Sequence, residues 1–157
     1  MRRKDREVTD FKELLTIITK CDVCRIAFFD KDYPYIIPIN FGLSVQENEL
    51  ELYFHCAKEG KKLDLARTNS NVGFEMDCSH RLITEESDCS TTMEYESICG
   101  NGVIEILSEE EKVYGLTQIM KQYVKKEAYD FEDKEMQFVT IFKIRVQNIW
   151  GKRLKIS

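Results

Sequence analysis

The sequence predicts a mainly β, α+β domain in which six antiparallel strands curl into a small barrel and helices cover its ends. Strand-like segments follow one another with only short polar turns between them, as in an antiparallel sheet. Gly100 and Gly102 interrupt a long strand-like segment, as the bend of a barrel corner requires. The sequence lacks a GxGxxG fingerprint, which argues against a dinucleotide-binding parallel sheet.

The first half of the chain predicts one helix and three strands. Asp10 is a suitable N-cap because Glu13 follows three residues later, before an apolar helical stripe. The turns DKDYP and SVQEN then join the three predicted strands, which cover residues 23–29, 35–40 and 49–55. Pro38 cannot donate a backbone hydrogen bond, so the second strand must lie at a sheet edge or contain a bulge.

The second half predicts two helices and three further strands. The polar, acidic stretch 79–92 is expected to be a loop. Ser108 and Glu111 form a capping box that begins the longer helix. The short helix covers residues 60–67, and the strands cover residues 72–77, 93–107 and 138–149.

Length and composition predict a single domain over residues 1–157. The chain has 157 residues, of which 43% are hydrophobic and 32% charged, as in ordinary globular proteins. The net charge of -5 argues against a nucleic-acid surface. No apolar run approaches the roughly 20 residues of a membrane span, and no signal peptide precedes the first helix. We therefore expect a cytoplasmic protein that binds neither nucleic acid nor membrane.

The six cysteines are expected to be reduced, since no export signal accompanies them. Cys21 and Cys24 form a CxxC pair, which Cys78 and His80 would complete as a zinc site. Structural zinc sites usually have two compact ligand pairs, and Cys24 lies in an apolar strand-like run. Buried, inert thiols and no metal site are therefore the favoured interpretation.

The segment LYFHCAKEGKKLD, residues 52–64, carries the strongest functional signal. Strand alternation places Leu52 and Phe54 on one face and Tyr53 and His55 on the other, so His55 should point outward near the strand end. Cys56 points away from His55, which argues against a Cys–His nucleophile pair. An outward histidine without a partner is the alternative interpretation.

The lysines that follow His55 indicate an anion site. Lys58, Lys61 and Lys62 surround the start of a predicted helix, where each cation opposes the helix dipole by roughly 0.3–1 kcal/mol. A bound phosphate would offset this cost, because helix N–H groups and ammonium groups both bind phosphate. The segment therefore predicts the phosphate grip of a nucleotide-type cofactor, with ordinary surface lysines as the alternative.

An ordered set of segments resembles one family almost end to end: MRRKDREVTD, KCDVCRIAF, PYIIPINFG, LYFHCAKEGKKLDLAR, VGFEMDC, YESICGNG and the closing WGK. The chain resembles the flavin-binding split-barrel proteins related to pyridoxamine 5'-phosphate oxidase, in the nitroimidazole-resistance (Nim-like) branch. The resemblance implies a six-stranded antiparallel split β-barrel and a homodimer with FMN at each subunit interface.

The resemblance also implies roles for individual residues. His55 would lie near the flavin and deliver a proton or orient the substrate. Main-chain contacts to the isoalloxazine ring would come from Pro38, Ile39 and Asn40. The 5'-phosphate would be held by Lys61 and Lys62, with Lys58 nearby and Gly60 allowing close backbone approach. Tyr95 and Ser97 would line the site, and Trp150 would either cover the ring from the partner subunit or pack the C-terminus.

The function implied is an FMN-dependent oxidoreductase that passes electrons from a nicotinamide donor to a small electrophile such as a nitro-aromatic. The alternative is a protein that binds flavin, haem or deazaflavin without catalysis. The closing WGKRLKIS lacks the Arg/His-bearing tail of dedicated pyridoxamine phosphate oxidases, so vitamin B6 oxidation is not expected. The acidic stretch 84–92 is either a lid or a surface loop.

Overall fold

The computed structural model describes residues 3–84 and 91–156. Its strands are β1 (Glu7–Val8), β2 (Cys24–Phe28), β3 (Tyr35–Ile39), β4 (Gly42–Gln46), β5 (Glu49–Ala57), β6 (Asn71–Ile83), β7 (Thr92–Ile106) and β8 (Val139–Leu154). Its helices are α1 (Phe11–Ile18), α2 (Lys61–Thr68), α3 (Lys112–Tyr123) and α4 (Asp133–Met136), and a 3₁₀ turn precedes β1 at Lys4–Arg6. None of the helices described is both long and apolar enough to span a bilayer.

The strands form one antiparallel sheet in the order β3-β2-β6-β7-β8-β5-β4, with β1 added on β8. In the described part of the chain no ladder joins β3 to β4, so the sheet is not closed. The predicted class, a mainly antiparallel split barrel with flanking helices, is confirmed. The count of six strands is too low, because β1 and β4 were not predicted.

Strand β4 was missed because its hairpin lacks a strong turn signal. The segment SVQEN, predicted to be a turn, is mostly strand, and the turn itself is only Glu47-Asn48. Both residues have positive φ, 50° and 72°, as a two-residue type I′ hairpin requires. Asn-Gly is the usual sequence for such a turn, whereas Glu-Asn is rarely one.

The predicted loop over residues 79–92 is also partly wrong. Strand β6 continues to Ile83 through a bulge between Cys78 and Arg81, where Ser79 adopts a φ of 59°. The polar side chains there are paired across the sheet, since Arg81 Nε lies 2.6 Å from Glu94 Oε2. The rest of the proposed loop, residues 85–90, lies outside the described residues.

Other local signals are confirmed, although the helix predicted to begin at the Ser108–Glu111 capping box begins only at Lys112. The Asp10 side chain accepts a hydrogen bond from Glu13 N–H at 3.0 Å, as an N-cap should. Strand β3, which contains Pro38, pairs with β2 alone among the described strands and is therefore an edge strand. The ladder between β7 and β8 shifts register between Asn101 and Gly102, where β8 contains the extra residue Gln147, so an irregularity does lie at the predicted glycine position.

The main core lies on the inner face of the curved sheet. Phe54 of β5 and Phe142 of β8 stack at its centre with their ring centroids 5.1 Å apart. Helices α1 and α2 close this core, and they contribute Leu14, Ile17, Ile18, Leu63 and Ala66. Burial of these side chains is the main favourable term in the stability of the fold.

Helix α3 packs on the outer face of the sheet over a second, smaller apolar cluster of Tyr53, Leu107, Ile119 and Ile141. The helix approaches the sheet closely because glycines lie at the contact, Gly42 in β4 and Gly115 in α3. A Cβ added to Gly42 would lie 2.2 Å from the backbone carbon of Gln118, and one added to Gly115 would lie 2.6 Å from Ile141 Cγ2. The outer face of β5 is therefore partly covered by a helix.

We expect Gly42→Ala to lower the free energy of unfolding by about 1–3 kcal/mol, because the new methyl group must push α3 away from β4. Urea denaturation measures this change. Gly73→Ala is the matched control, because the atom nearest to its added Cβ would be Gly100 O at 3.8 Å. Equal destabilisation by both substitutions would contradict the role given to the contact between α3 and β4.

Candidate functional site

Strand β5 fixes the direction of His55. Leu50, Leu52 and Phe54 are buried in the main core, which leaves the alternate residues on the outer face. His55 is exposed on that face, two residues before the end of the strand and opposite Ile141 of β8. Cys56 is buried on the inner face and points away from His55, as strand alternation predicts.

Gly60 connects β5 to α2 in a conformation that only glycine adopts readily. It is the N-cap residue of α2, with φ 140° and ψ 160°. No atom lies within 4 Å of the position that a Cβ would take, so the backbone conformation and not a lack of space demands glycine. Glycine also supplies no capping side chain, and the first N–H groups of a helix have no partner within it. The start of α2 is therefore an open set of backbone donors.

Lys62 acts electrostatically on His55. Although His55 is exposed, the atoms packed around its ring lower its pKa, and the positive charge of Lys62 lowers it further. His55 is therefore mainly neutral at pH 7. Within the described ranges, no carboxylate oxygen lies within 4.0 Å of Lys62 Nζ. A cation without an ionic partner thus lies beside a neutral imidazole and an uncapped helix start.

Lys61 has different surroundings. Its Nζ lies 2.6 Å from Asp30 Oδ2 and 4.8 Å from the centroid of the Tyr35 ring. Asp30 follows β2 closely and Tyr35 begins β3, so Lys61 ties α2 to this hairpin. Lys58, which precedes Gly60, is exposed. The two adjacent lysines of the predicted phosphate grip are therefore not equivalent.

The predicted ring contacts lie at the far end of β3 from Lys61. Pro38 and Asn40 are exposed, whereas Ile39 packs against the main core. Asn40 donates a hydrogen bond from Nδ2 to the carbonyl oxygen of Asp22 at 3.2 Å. From Tyr35 to Ile39 the strand advances by about 13 Å. A ligand that reaches both ends of β3 must therefore be elongated.

Tyr95, Ser97 and Trp150 lie in another part of the sheet. Ser97 pairs with Lys152, and Cys99 pairs with Trp150, which is 46% exposed. Trp150 follows Ile141, the neighbour of His55, by nine residues along β8, or about 30 Å of strand. One chain therefore does not bring these three residues to His55.

Asp30 is the site residue that the sequence analysis missed. It lies in the DKDYP turn, 31 positions before Lys61, and nothing in the local pattern links the two. Its side chain is 20% exposed, so the ion pair with Lys61 is partly shielded from solvent.

The prediction of buried thiols is confirmed for three of the five cysteines that the structure describes, whereas Cys78 is half-buried and Cys99 is exposed. Cys21, Cys24 and Cys56 are buried free thiols, and burial strongly raises the pKa of Cys21 and Cys24, which disfavours the reactive thiolate. Cys89 lies outside the described residues. No group of three or more His, Cys, Asp or Glu side chains suited to a metal occurs in residues 3–84 and 91–156.

Solved structures of similar fold cover nearly the whole chain. A proposed 5-nitroimidazole antibiotic resistance protein from Bacteroides thetaiotaomicron is 31% identical, covers 94% of this chain and 86% of its own, and has a TM-score of 0.79. An FAD- and haem-binding protein from Mycobacterium smegmatis is 15% identical, with 96% and 74% covered and a TM-score of 0.83. A flavocytochrome from Azotobacter vinelandii is 14% identical, with 99% and 72% covered and a TM-score of 0.81.

Sequence comparison gives the family. No curated protein is significantly similar to this chain in sequence. The family model described as pyridoxamine 5'-phosphate oxidase matches residues 10–153, which include β2 to β7, all four helices and almost all of β8. By this match, the chain belongs to the pyridoxamine 5'-phosphate oxidase family.

Proposed function

We propose that this protein binds FMN beside His55 and the start of α2, and that it passes electrons from a nicotinamide donor to a small electrophile such as a nitro-aromatic. The observation that carries the proposal is that three features lie together within the part of the chain that the family model matches: an uncapped helix start, Lys62 with no ionic partner among the described residues, and the neutral His55. Each of these features suits one part of a phosphorylated flavin.

The helix start suits the phosphate. The N–H groups that follow Gly60 and the helix dipole both favour an anion, and Lys62 adds a full positive charge. The open space around Gly60 leaves room for a ligand to approach the backbone. A phosphate here would also remove the electrostatic cost of placing Lys61 and Lys62 at a helix N-terminus.

The edge strand and His55 suit the ring. Pro38 and Asn40 are exposed on β3, so a planar ring can contact the main chain without displacing another strand. A bound flavin supplies the electron-transfer chemistry. The protein would bind and orient it, while neutral His55 accepts a hydrogen bond or a proton at a ring nitrogen.

A homodimer would complete the site. Within one chain, about 30 Å of strand separates His55 from the region of Tyr95, Ser97 and the half-exposed Trp150. A second copy of the chain would supply the contacts of these three residues with the cofactor. We therefore propose a dimer with the cofactor between subunits. A cytoplasmic location remains a prediction from the sequence.

The nitro-aromatic class is supported by the description of the B. thetaiotaomicron protein, which is 31% identical to this chain. The alternative, a non-catalytic protein that binds flavin, haem or deazaflavin, differs in its visible spectrum and in its response to electron donors. Purified protein should take up FMN, lose the flavin colour anaerobically with NADH, and regain it when a nitroimidazole is added. A haem spectrum, or a bound flavin that NADH does not reduce, would favour the alternative.

We expect Lys62→Met to weaken FMN binding about 10- to 100-fold, because a charge-assisted phosphate contact is worth about 1.5–3 kcal/mol. Flavin fluorescence titration gives the dissociation constant. Riboflavin, which lacks the phosphate, should bind wild type and variant equally, and Lys12→Met in α1 is the matched surface control. Equal loss of riboflavin binding would show that Lys62 does not act through the phosphate.

We expect the His55 imidazole to titrate below its usual pKa of 6.5, and Lys62→Met to raise the midpoint by removing a nearby positive charge. NMR titration of the ring protons measures both. The pKa of His55 is lower in the folded chain than in the unfolded chain, so protonation of His55 favours unfolding. His55 should therefore lower the free energy of unfolding as the pH falls below 6.5, and it should have no such effect at higher pH. His55→Asn should remove this pH-dependent part. A His55 midpoint that Lys62→Met leaves unchanged would contradict the proximity of the two side chains.

A further inference from the structure

Lys61 and Lys62 are adjacent in sequence, yet of the two only Lys61 has an anionic partner in residues 3–84 and 91–156. The carboxylate of Asp30 lies 2.6 Å from Lys61 Nζ, and the Tyr35 ring lies 4.8 Å from the same atom. Both partners belong to the β2–β3 hairpin, whereas the phosphate donors belong to α2. Lys61 therefore lies between α2 and the β2–β3 hairpin. Its ammonium group cannot pair fully with both Asp30 and a phosphate bound at the start of α2.

The backbone of Asp30 is held in a turn. The carbonyl oxygen of Asp30 accepts a hydrogen bond from Tyr33 N–H at 3.0 Å, and Lys31 between them has a φ of 39°. The side chain of Asp30 is 20% exposed, compared with 54% for Lys61. Asp30 is thus the more shielded member of the pair, and Lys61 is the more exposed one.

We propose that Asp30 competes with the cofactor phosphate for Lys61, so that Lys62 supplies most of the cationic grip and Asp30 limits how tightly any phosphorylated ligand is held. This inference rests on the proposed function. A phosphate in contact with Lys61 would lie about 5–6 Å from the Asp30 carboxylate, with Lys61 between them. Its two negative charges would repel that carboxylate and share a cation that Asp30 already neutralises.

The competition favours ligands that make other contacts. A small phosphate anion gains only the α2 donors and Lys62, and it bears the whole repulsion from Asp30. A ligand that also lies along β3 gains contacts at Pro38 and Asn40, which do not depend on Asp30. Asp30 therefore lowers the affinity for both ligands by a similar factor, and only the extended ligand, through its contacts along β3, still binds tightly.

Asp30→Asn tests the proposal, because it removes the charge and keeps the size of the side chain. We expect FMN to bind about tenfold more tightly to this variant, by flavin fluorescence titration at fixed ionic strength. The inhibition constant of inorganic phosphate, corrected for the tighter FMN binding, should fall by a similar factor, and riboflavin affinity should stay unchanged. Asp32→Asn, an exposed position in the same turn, is the matched control and should change none of these values.

A double-mutant cycle isolates the pair. In a Lys61→Met background, Asp30→Asn should tighten FMN binding by less than the single substitution does, because there is no shared cation to release. Asp30→Ser provides a second charge removal if the asparagine variant folds poorly, as judged by circular dichroism.

The outcomes separate the two proposals. Tighter FMN binding with unchanged riboflavin binding supports the competition. Unchanged or weaker FMN binding by Asp30→Asn, in a wild-type protein that does bind FMN, would overturn it and make Asp30 a residue that positions Lys61. If wild type binds FMN no better than riboflavin, the phosphate site itself is wrong, and the proposed function fails with it.

Discussion

The anchoring of β5 in the core is the constraint on which the rest of the site depends. Leu52 and Phe54 are fully buried, and Phe54 stacks on Phe142, so the strand cannot slip by one residue without exposing its apolar face. That register alone holds His55 on the outer face. The same strand then reaches Gly60, whose glycine-only conformation turns the chain directly into α2. One well-packed strand therefore positions both the imidazole and the open helix start.

The two adjacent lysines of the site, Lys61 and Lys62, have different electrostatic surroundings. Lys61 is neutralised by Asp30, while Lys62 remains without an ionic partner in the part of the chain described and lowers the pKa of His55. An isolated helix would be more stable with acidic residues at these positions. The arrangement makes physical sense for a chain whose proposed ligand carries the missing negative charge, and the chain accepts a small cost in its free form.

The sequence predicted the structure best at positions where a single side chain determines the local backbone conformation. Asp10 as N-cap, Pro38 at an edge and the inward face of β5 all follow from such local rules. Predictions failed where the structure depends on contacts between residues that are distant in sequence. The extended end of strand β6 contains Arg81, which forms an ion pair with Glu94 of β7. Lys61 forms an ion pair with Asp30, which lies 31 positions earlier in the sequence. Neither pairing has a signature in local periodicity, which is why the sequence pointed to the lysine segment but not to the contact between Lys61 and Asp30.

The open sheet leaves β3 and β4 as free borders, and such borders normally invite uncontrolled association through strand addition. Pro38 deprives the first border of one backbone donor in the middle of a short strand. A neighbouring molecule that tried to extend the sheet there would meet an interrupted ladder. The residue that leaves this edge open to the proposed ligand is therefore also one that disfavours strand addition by a neighbouring molecule.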